Sequence, residues 1–254
     1  MKKLVSIASA ALAAAFMATS AQATEFFFAG IEGNGGAPID APTGNIAFDC
    51  GSEGSDLCTD DDALGFDYSK DGVSFNATAF TGGTGLGTDM FMRGEAAILI
   101  QDLVGPNQGL GVISEAEFVN GSPVNTSEDQ INFDTGESIL ITFAGEVTLD
   151  QIAVNSGTND DCPGIGGLEG PCGVIGIIID GVLSTFDEFV AGGIIASGGS
   201  AVQLVGTTFE FIGLTSGAGY SIESFQVVPV PGAIPLLLSG VAGLGFAARR
   251  RKAA

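Results

Sequence analysis

Oxygen-bearing side chains in metal-ligand spacing stand out at one stretch, Asp67-Tyr68-Ser69-Lys70-Asp71-Gly72. Asp67, Ser69, Asp71 and Gly72 fall at the first, third, fifth and sixth positions of an EF-hand-type loop. In such a loop alternate oxygens turn toward a calcium ion while the glycine takes the tight bend. The pattern then fails. Its twelfth position is Thr78, where a bidentate glutamate belongs, and a strand pattern follows where a helix should begin. The same residues also read as a polar hairpin corner leading into Val73 to Phe80. Calcium is the one cofactor that the sequence suggests. Thr59-Asp60-Asp61-Asp62 offers further oxygens, as do Asp160 and Asp161 beside Cys162; ordinary solvated acids are the other reading of both.

The chain contains no histidine. A Ser-His-Asp triad, a Cys-His nucleophile and an imidazole-ligated metal are therefore excluded. No Gly-x-Ser-x-Gly elbow, phosphate-binding loop or dinucleotide fingerprint is present. Carboxylate chemistry survives, because a glycosidase needs only two acids facing each other across a groove. Thirty acidic residues supply many pairs, but nothing singles one out, and tryptophan, the usual sugar-stacking platform, is absent. The expectation is a protein without catalytic residues. A polysaccharide-active hydrolase or lyase using a carboxylate pair is the alternative.

Four cysteines form two local pairs, Cys50 with Cys58 and Cys162 with Cys172. In an exported chain an even count reads as disulfides, and the local pairing closes two glycine-rich loops. Three pairings are open to four cysteines. Zinc is the rival, weakened by the missing histidines and by spacings unlike those of ribbon-type sites.

The elements that must position these groups are strands. Val73, Phe75, Ala77 and Ala79 alternate onto one face, as do Ile139, Ile141 and Phe143, and again Phe209 and Phe211. Tyr220 and Ile222 alternate before Phe225 and Val227 resume the pattern one residue out of step, which predicts a bulge. Glu25 to Phe28, Ala96 to Gln101, Val147 to Val154 and Gly173 to Gly181 add strands, the last apolar enough to be central. Asp71-Gly72, Asn120-Gly121, Gly145, Asp180-Gly181 and Ser216-Gly217 mark turns. A short helical turn is expected around Ser114 to Phe118 and nowhere else between the two ends. Many short strands with no helical alternation predict an all-β fold, an antiparallel β-sandwich of jelly-roll-like topology.

Charge is distributed unevenly. All thirty acidic residues fall between Glu25 and Glu223, and Lys70 and Arg93 are the only basic residues in that stretch, leaving it a formal charge of −28. Such a surface repels nucleic acid and anionic lipid and attracts divalent cations. No nucleic-acid role is expected.

The two ends differ from the middle. Residues 1–23 begin with Lys2 and Lys3, continue with an apolar stretch, and end in small residues at Ala21 and Ala23, which reads as a signal peptide cut between Ala23 and Thr24. At the other end Gly232 to Ala248 carry no charge. As a helix rising about 1.5 Å per residue they extend roughly 25 Å, at the short end for crossing a bilayer. Arg249, Arg250, Arg251 and Lys252 follow, and cations in that position favour the cytoplasmic side. The domain between, residues 24–227, is then placed outside the inner membrane.

Val228-Pro229-Val230-Pro231-Gly232, the apolar run and the terminal cations together resemble the PEP-CTERM class of sorting signals, most closely its VPLPA-CTERM variant. Val230 stands where the variant has leucine and Gly232 where it has alanine. The resemblance covers residues 228–254. It implies a transient inner-membrane anchor processed by an exosortase-type sorting enzyme in a Gram-negative bacterium that makes exopolysaccharide. The resulting expectation is an exported cell-surface or extracellular-matrix protein, adhesive or matrix-organising, with extracellular polysaccharide as a partner and calcium bridging acidic protein to acidic polymer. A permanently anchored periplasmic protein is a further alternative.

Overall fold

Side chains on an extended chain alternate between two faces, so a strand with one apolar face buries every second residue. In a computed structural model the described residues are 22–29, 39–44, 46–48, 57–59, 64–84, 92–102, 109–113, 118–119, 122–123, 131–155, 173–190, 193–215 and 219–230. Every element among them is a strand. In chain order these are β1 (Thr24–Phe27), β2 (Ile46–Phe48), β3 (Leu57–Thr59), β4 (Phe66–Lys70), β5 (Val73–Thr81), β6 (Glu95–Asp102), β7 (Gly109–Ile113), β8 (Phe118–Val119) and β9 (Ser122–Pro123). They continue as β10 (Ile131–Asn132), β11 (Ser138–Asn155), β12 (Ile175–Ile179), β13 (Val182–Phe186), β14 (Glu188–Val190), β15 (Ile194–Ser197), β16 (Ser200–Ala201), β17 (Leu204–Gly213) and β18 (Gly219–Pro229).

The main sheet runs in the order β1-β18-β7-β6-β5-β11-β17-β12-β13, with antiparallel pairing throughout. Hairpins make the local steps, β4 to β5 and β12 to β13 among them. The long-range steps join β5 to β11, β11 to β17 and β17 to β12. The pairing Thr24↔Val227 lays the first strand along the last. The compact unit runs from Ala23 to Val228.

The core follows the predicted alternation. Val73, Phe75, Ala77 and Ala79 of β5 are buried, as are Ile139, Ile141 and Phe143 of β11. In β18 Tyr220, Ile222, Phe225 and Val227 all reach the core, so the one-residue shift in the sequence is a shift in the strand. Phe75 is the hub. Its ring contacts Phe26 at 4.9 Å, Tyr68 at 5.0 Å, Phe143 at 5.2 Å, Phe225 at 5.5 Å and Phe28 at 6.3 Å between centroids.

Three expectations need correction. Gly145 is not a turn: the two predicted strands flanking it are one strand, β11. Its register with β17 jumps from Thr142↔Thr208 to Val147↔Gly206, so β11 absorbs extra residues in an irregularity rather than reversing direction. A second break sits at Gln151, whose φ of 50° lies in the left-handed region. Burial then moves from Val147 and Leu149 to Ile152 and Val154. Nor is β17 half-buried along its whole length, because Glu210 and Ile212 are buried beside Phe209 and Phe211. Third, β12 lies next to the sheet's end, with β13 outside it. The helical turn around Ser114 to Phe118 falls largely outside the described residues, as do the turns at Asn120-Gly121 and Ser216-Gly217. Among the described residues no helix is long and apolar enough to cross a membrane.

Replacing Phe75 by alanine opens a cavity where the chain's two terminal strands meet the middle of the sheet. A loss of roughly 3–5 kcal/mol is expected. Urea unfolding checks it, with Phe75→Leu losing clearly less.

Candidate functional site

The hairpin reading of Asp67 to Gly72 is the one the structure adopts. Lys70 pairs with Val73 across a two-residue turn in which Asp71 has φ 50° and Gly72 φ 81°. Those are the angles of a type I′ hairpin, and Asp-Gly is a sequence that favours it. Asp67 and Ser69 lie on the exposed face of β4, four and two residues before Asp71. Along an extended strand four residues span about 13 Å, so the carboxylates of Asp67 and Asp71 do not converge as in a calcium loop. Asp67 and Ser69 find neighbours across the hairpin instead. Asn76 Nδ2 donates to Asp67 Oδ1 at 2.9 Å, and the hydroxyls of Ser69 and Ser74 are 3.1 Å apart. Among the described residues no group of three His, Cys, Asp or Glu side chains is arranged to hold a metal ion. Asp60, Asp61, Asp62, Asp160 and Asp161 lie outside the described residues.

Cys58, on β3, is 3% exposed and disulfide-bonded. Cys50, Cys162 and Cys172 lie outside the described residues. Thr24 pairs with Val227 at the start of β1, while Val228 and Pro229 of the sorting motif continue β18. Pro231, Gly232 and the cations Arg249, Arg250, Arg251 and Lys252 fall outside the described residues.

The groups with the most developed geometry are the two basic residues of the acidic stretch. Lys70 Nζ lies 2.8 Å from Asp40 Oδ2 and donates to the carbonyl of Glu25 at 2.7 Å. It also sits 5.8 Å from the ring centres of both Phe26 and Phe27. Asp40 Oδ2 accepts a second hydrogen bond from the Phe27 N–H, so the pair holds β1 in place. Behind it Gln101, completely buried, donates through Nε2 to the carbonyls of Phe28 and Asp40 and accepts from the Tyr68 hydroxyl. Because these polar groups are paired, their burial carries little penalty.

Arg93 makes the second clamp. Its Nε and Nη2 donate to Glu210 Oε1 at 2.9 Å and Oε2 at 2.8 Å, a bidentate arrangement, and the guanidinium lies 4.7 Å above the Phe80 ring. Ser138 Oγ adds a third donor to Glu210 Oε1. Pairing with the carboxylate raises the guanidinium pKa against the opposing effect of partial burial. Phe80, Ser138 and Glu210 stand on β5, β11 and β17, so Arg93 covers the sheet face opposite the aromatic core. Gly94 permits this placement, since a Cβ there would collide with the Thr81 carbonyl.

Of the buried acids, Glu210 has both oxygens occupied, and its geometry is that of an ion-pair clamp. Glu137 is also buried and has a bonding partner. Asp180 acts on the backbone. Desolvation pushes its pKa up, but donors from the Thr208 N–H, the Thr207 N–H and the Thr208 hydroxyl outweigh that and lower it. The electrostatic outcome is a surface of one sign, because Lys70 and Arg93, the only basic residues between Glu25 and Glu223, are both spent on internal pairs. Sequence reasoning singled out these two cations without giving them a role. Their isolation among thirty acids was the signal.

Against family models, curated proteins and solved structures the chain shows no match.

Two outcomes test this arrangement. Arg93→Ala leaves a buried carboxylate unpaired and is expected to cost roughly 2–3 kcal/mol, below the range for a fully buried pair because Arg93 is 39% exposed. Adding Glu210→Gln to that variant restores much of the loss in urea unfolding, since the amide still accepts from Ser138. Tyr68 and Tyr220 are the chain's two tyrosines. Burial raises both pKa values well above 10.0, with the Asp40 charge adding to the effect at Tyr68. Ionisation therefore favours the unfolded chain. The contribution of the two tyrosines to stability is level below about pH 10 and falls as the pH climbs past it. Tyrosinate absorbance should appear together with unfolding, not before it.

Proposed function

We propose that this is an exported, non-catalytic protein of the cell surface or extracellular matrix, sorted through a PEP-CTERM-type tail and associated with exopolysaccharide. The observation that carries this reading is the junction at Val227. The last residue of the hydrophobic core cluster, Val227, is followed at once by the Val228-Pro229-Val230-Pro231-Gly232 motif, the uncharged run and the four cations. The segment identified as the tail thus begins where the described core has ended. Thr24, the first residue after the proposed signal-peptide cut, pairs with Val227. Both junctions therefore lie on neighbouring strands.

The finer architecture is read as a jelly-roll-like sandwich. Pairing of β18 with both β7 and β11 brings the sheet back on itself around the core, and opposed layers of this kind are what support the reading. Local disulfides, Cys50–Cys58 and Cys162–Cys172, are part of the same proposal. The partners are an exosortase-type enzyme, the inner membrane in passing, and an acidic polysaccharide. A domain whose few cations are internally paired has no positive patch for such a polymer. Calcium shared between carboxylates of protein and polymer is the bridge that this surface charge favours.

Intact masses of the protein recovered from native membrane and medium test the sorting step. A released form ending near Pro231 is expected, and a released form retaining Arg249 to Lys252 overturns it. That processed form should unfold within about 0.5 kcal/mol of the full chain. Polymer isolated from the same cells should retain the protein with calcium and release it to a chelator. Failure to bind under either condition removes the adhesive role.

A further inference from the structure

The sheet path has two ends, and they are finished differently. At one, β1 turns the backbone of Glu25 and Phe27 away from β18, and three of those four groups are capped. The Phe27 N–H donates to Asp40 Oδ2, the Phe27 carbonyl accepts from the Asp40 N–H, and the Glu25 carbonyl accepts from Lys70. Capping of this kind blocks an edge against strand addition. At the other end β13 pairs only with β12 among the described residues.

The turn at Asp180-Gly181 fixes which backbone groups of β13 are free. Ile179 and Val182 close a two-residue hairpin, so Val182, Ser184 and Phe186 exchange hydrogen bonds with β12. The N–H and C=O groups of Leu183 and Thr185 then point outward. Val182 is 68% exposed and Leu183 37%. No charge and no proline lie between Val182 and Phe186. Proteins usually guard a free edge with such residues.

Charge and register together select the occupant. Two copies of a chain with net charge −22 repel each other over most of their surface, and least where both are uncharged. The strand is also its own complement. In an antiparallel pairing centred on Ser184, Leu183 of each copy lies opposite Thr185 of the other, and all the outward groups are satisfied. Val182 falls opposite Phe186 of the second copy, covering the most exposed apolar side chain of the edge. Ser184 faces itself across a non-hydrogen-bonded pair, with Cα atoms about 4.5 Å apart. Sliding by one step in either direction puts Gly181 of the turn or Asp187 beyond the strand into the pairing and loses half of these bonds.

We propose that β13 joins two copies of this chain into one continuous antiparallel sheet across a two-fold axis at Ser184. The proposal rests on the edge alone and is independent of how the chain is sorted. Asp180, Asp187 and Glu188 flank the seam in both copies, so association strengthens with ionic strength.

The test uses the full chain in detergent. Ser184→Cys should form a disulfide-linked dimer under mild oxidation, and Ser74→Cys, exposed on β5, should not. Thr185→Pro removes an outward N–H without touching the β12 ladder, and in sedimentation it should weaken dimerisation at least tenfold. Leu183→Glu, which adds a negative charge from each copy to a seam already flanked by Asp180, Asp187 and Glu188, serves as the second variant where the proline disturbs folding. A folded Ser184→Cys protein that links no better than Ser74→Cys overturns the proposal. So does a folded edge variant that associates as tightly as the wild type.

Discussion

Phe75 stands where the beginning, middle and end of the described fold meet. The rings around it come from β1, β4, β11 and β18, together with Phe28 just beyond β1. Burial of these rings supplies the apolar driving force, and their tilted and edge-on contacts add geometric selection to it. The first strand and the last pair because both carry phenylalanines that must reach this one site. Phe26 and Phe225 are partners in register as well as in packing.

Around that core the polar groups are arranged so that burial leaves few of them unpaired. Gln101 answers three groups at once, and the Tyr220 hydroxyl finds the carbonyl of Ile212. The two cations serve the same purpose. Each lies over aromatic surface and neutralises one acid close to the sheet, Lys70 at the β1 edge and Arg93 on the face opposite the core. Mutual repulsion among the remaining acids opposes compaction, and the core has to outweigh it.

The two edges show how one sheet can protect itself at one end and remain open at the other. Capping at β1 takes a loop residue, Asp40, and a strand residue, Lys70, separated by 30 positions. Among the described residues no such cap pairs with β13, whose turn residue Asp180 is instead committed inward to Thr207 and Thr208. Backbone hydrogen bonding is obligatory for buried strands and optional at a wet edge, which makes such an edge available for pairing.

Alternation is a property of each strand by itself, so β5, the first half of β11, β18 and the hairpins at Asp71-Gly72 and Asp180-Gly181 were legible in the sequence. So was the shift between Ile222 and Phe225. Strands without a clean period, such as β7 and β13, were missed, because β7 is buried on both faces and β13 is largely exposed. The continuity of β11 through Gly145 could not be read locally, since it depends on β17 running alongside. The burial of Glu210 depends on Arg93, 117 positions away in the chain. The sequence by itself determined the all-β character, the acidity and the contrast between the ends and the middle, because these follow from composition and near-neighbour spacing. Tertiary structure alone decided which carboxylates are paired, which edge is capped and which strand is left open, because each is set by contacts between residues far apart in the chain.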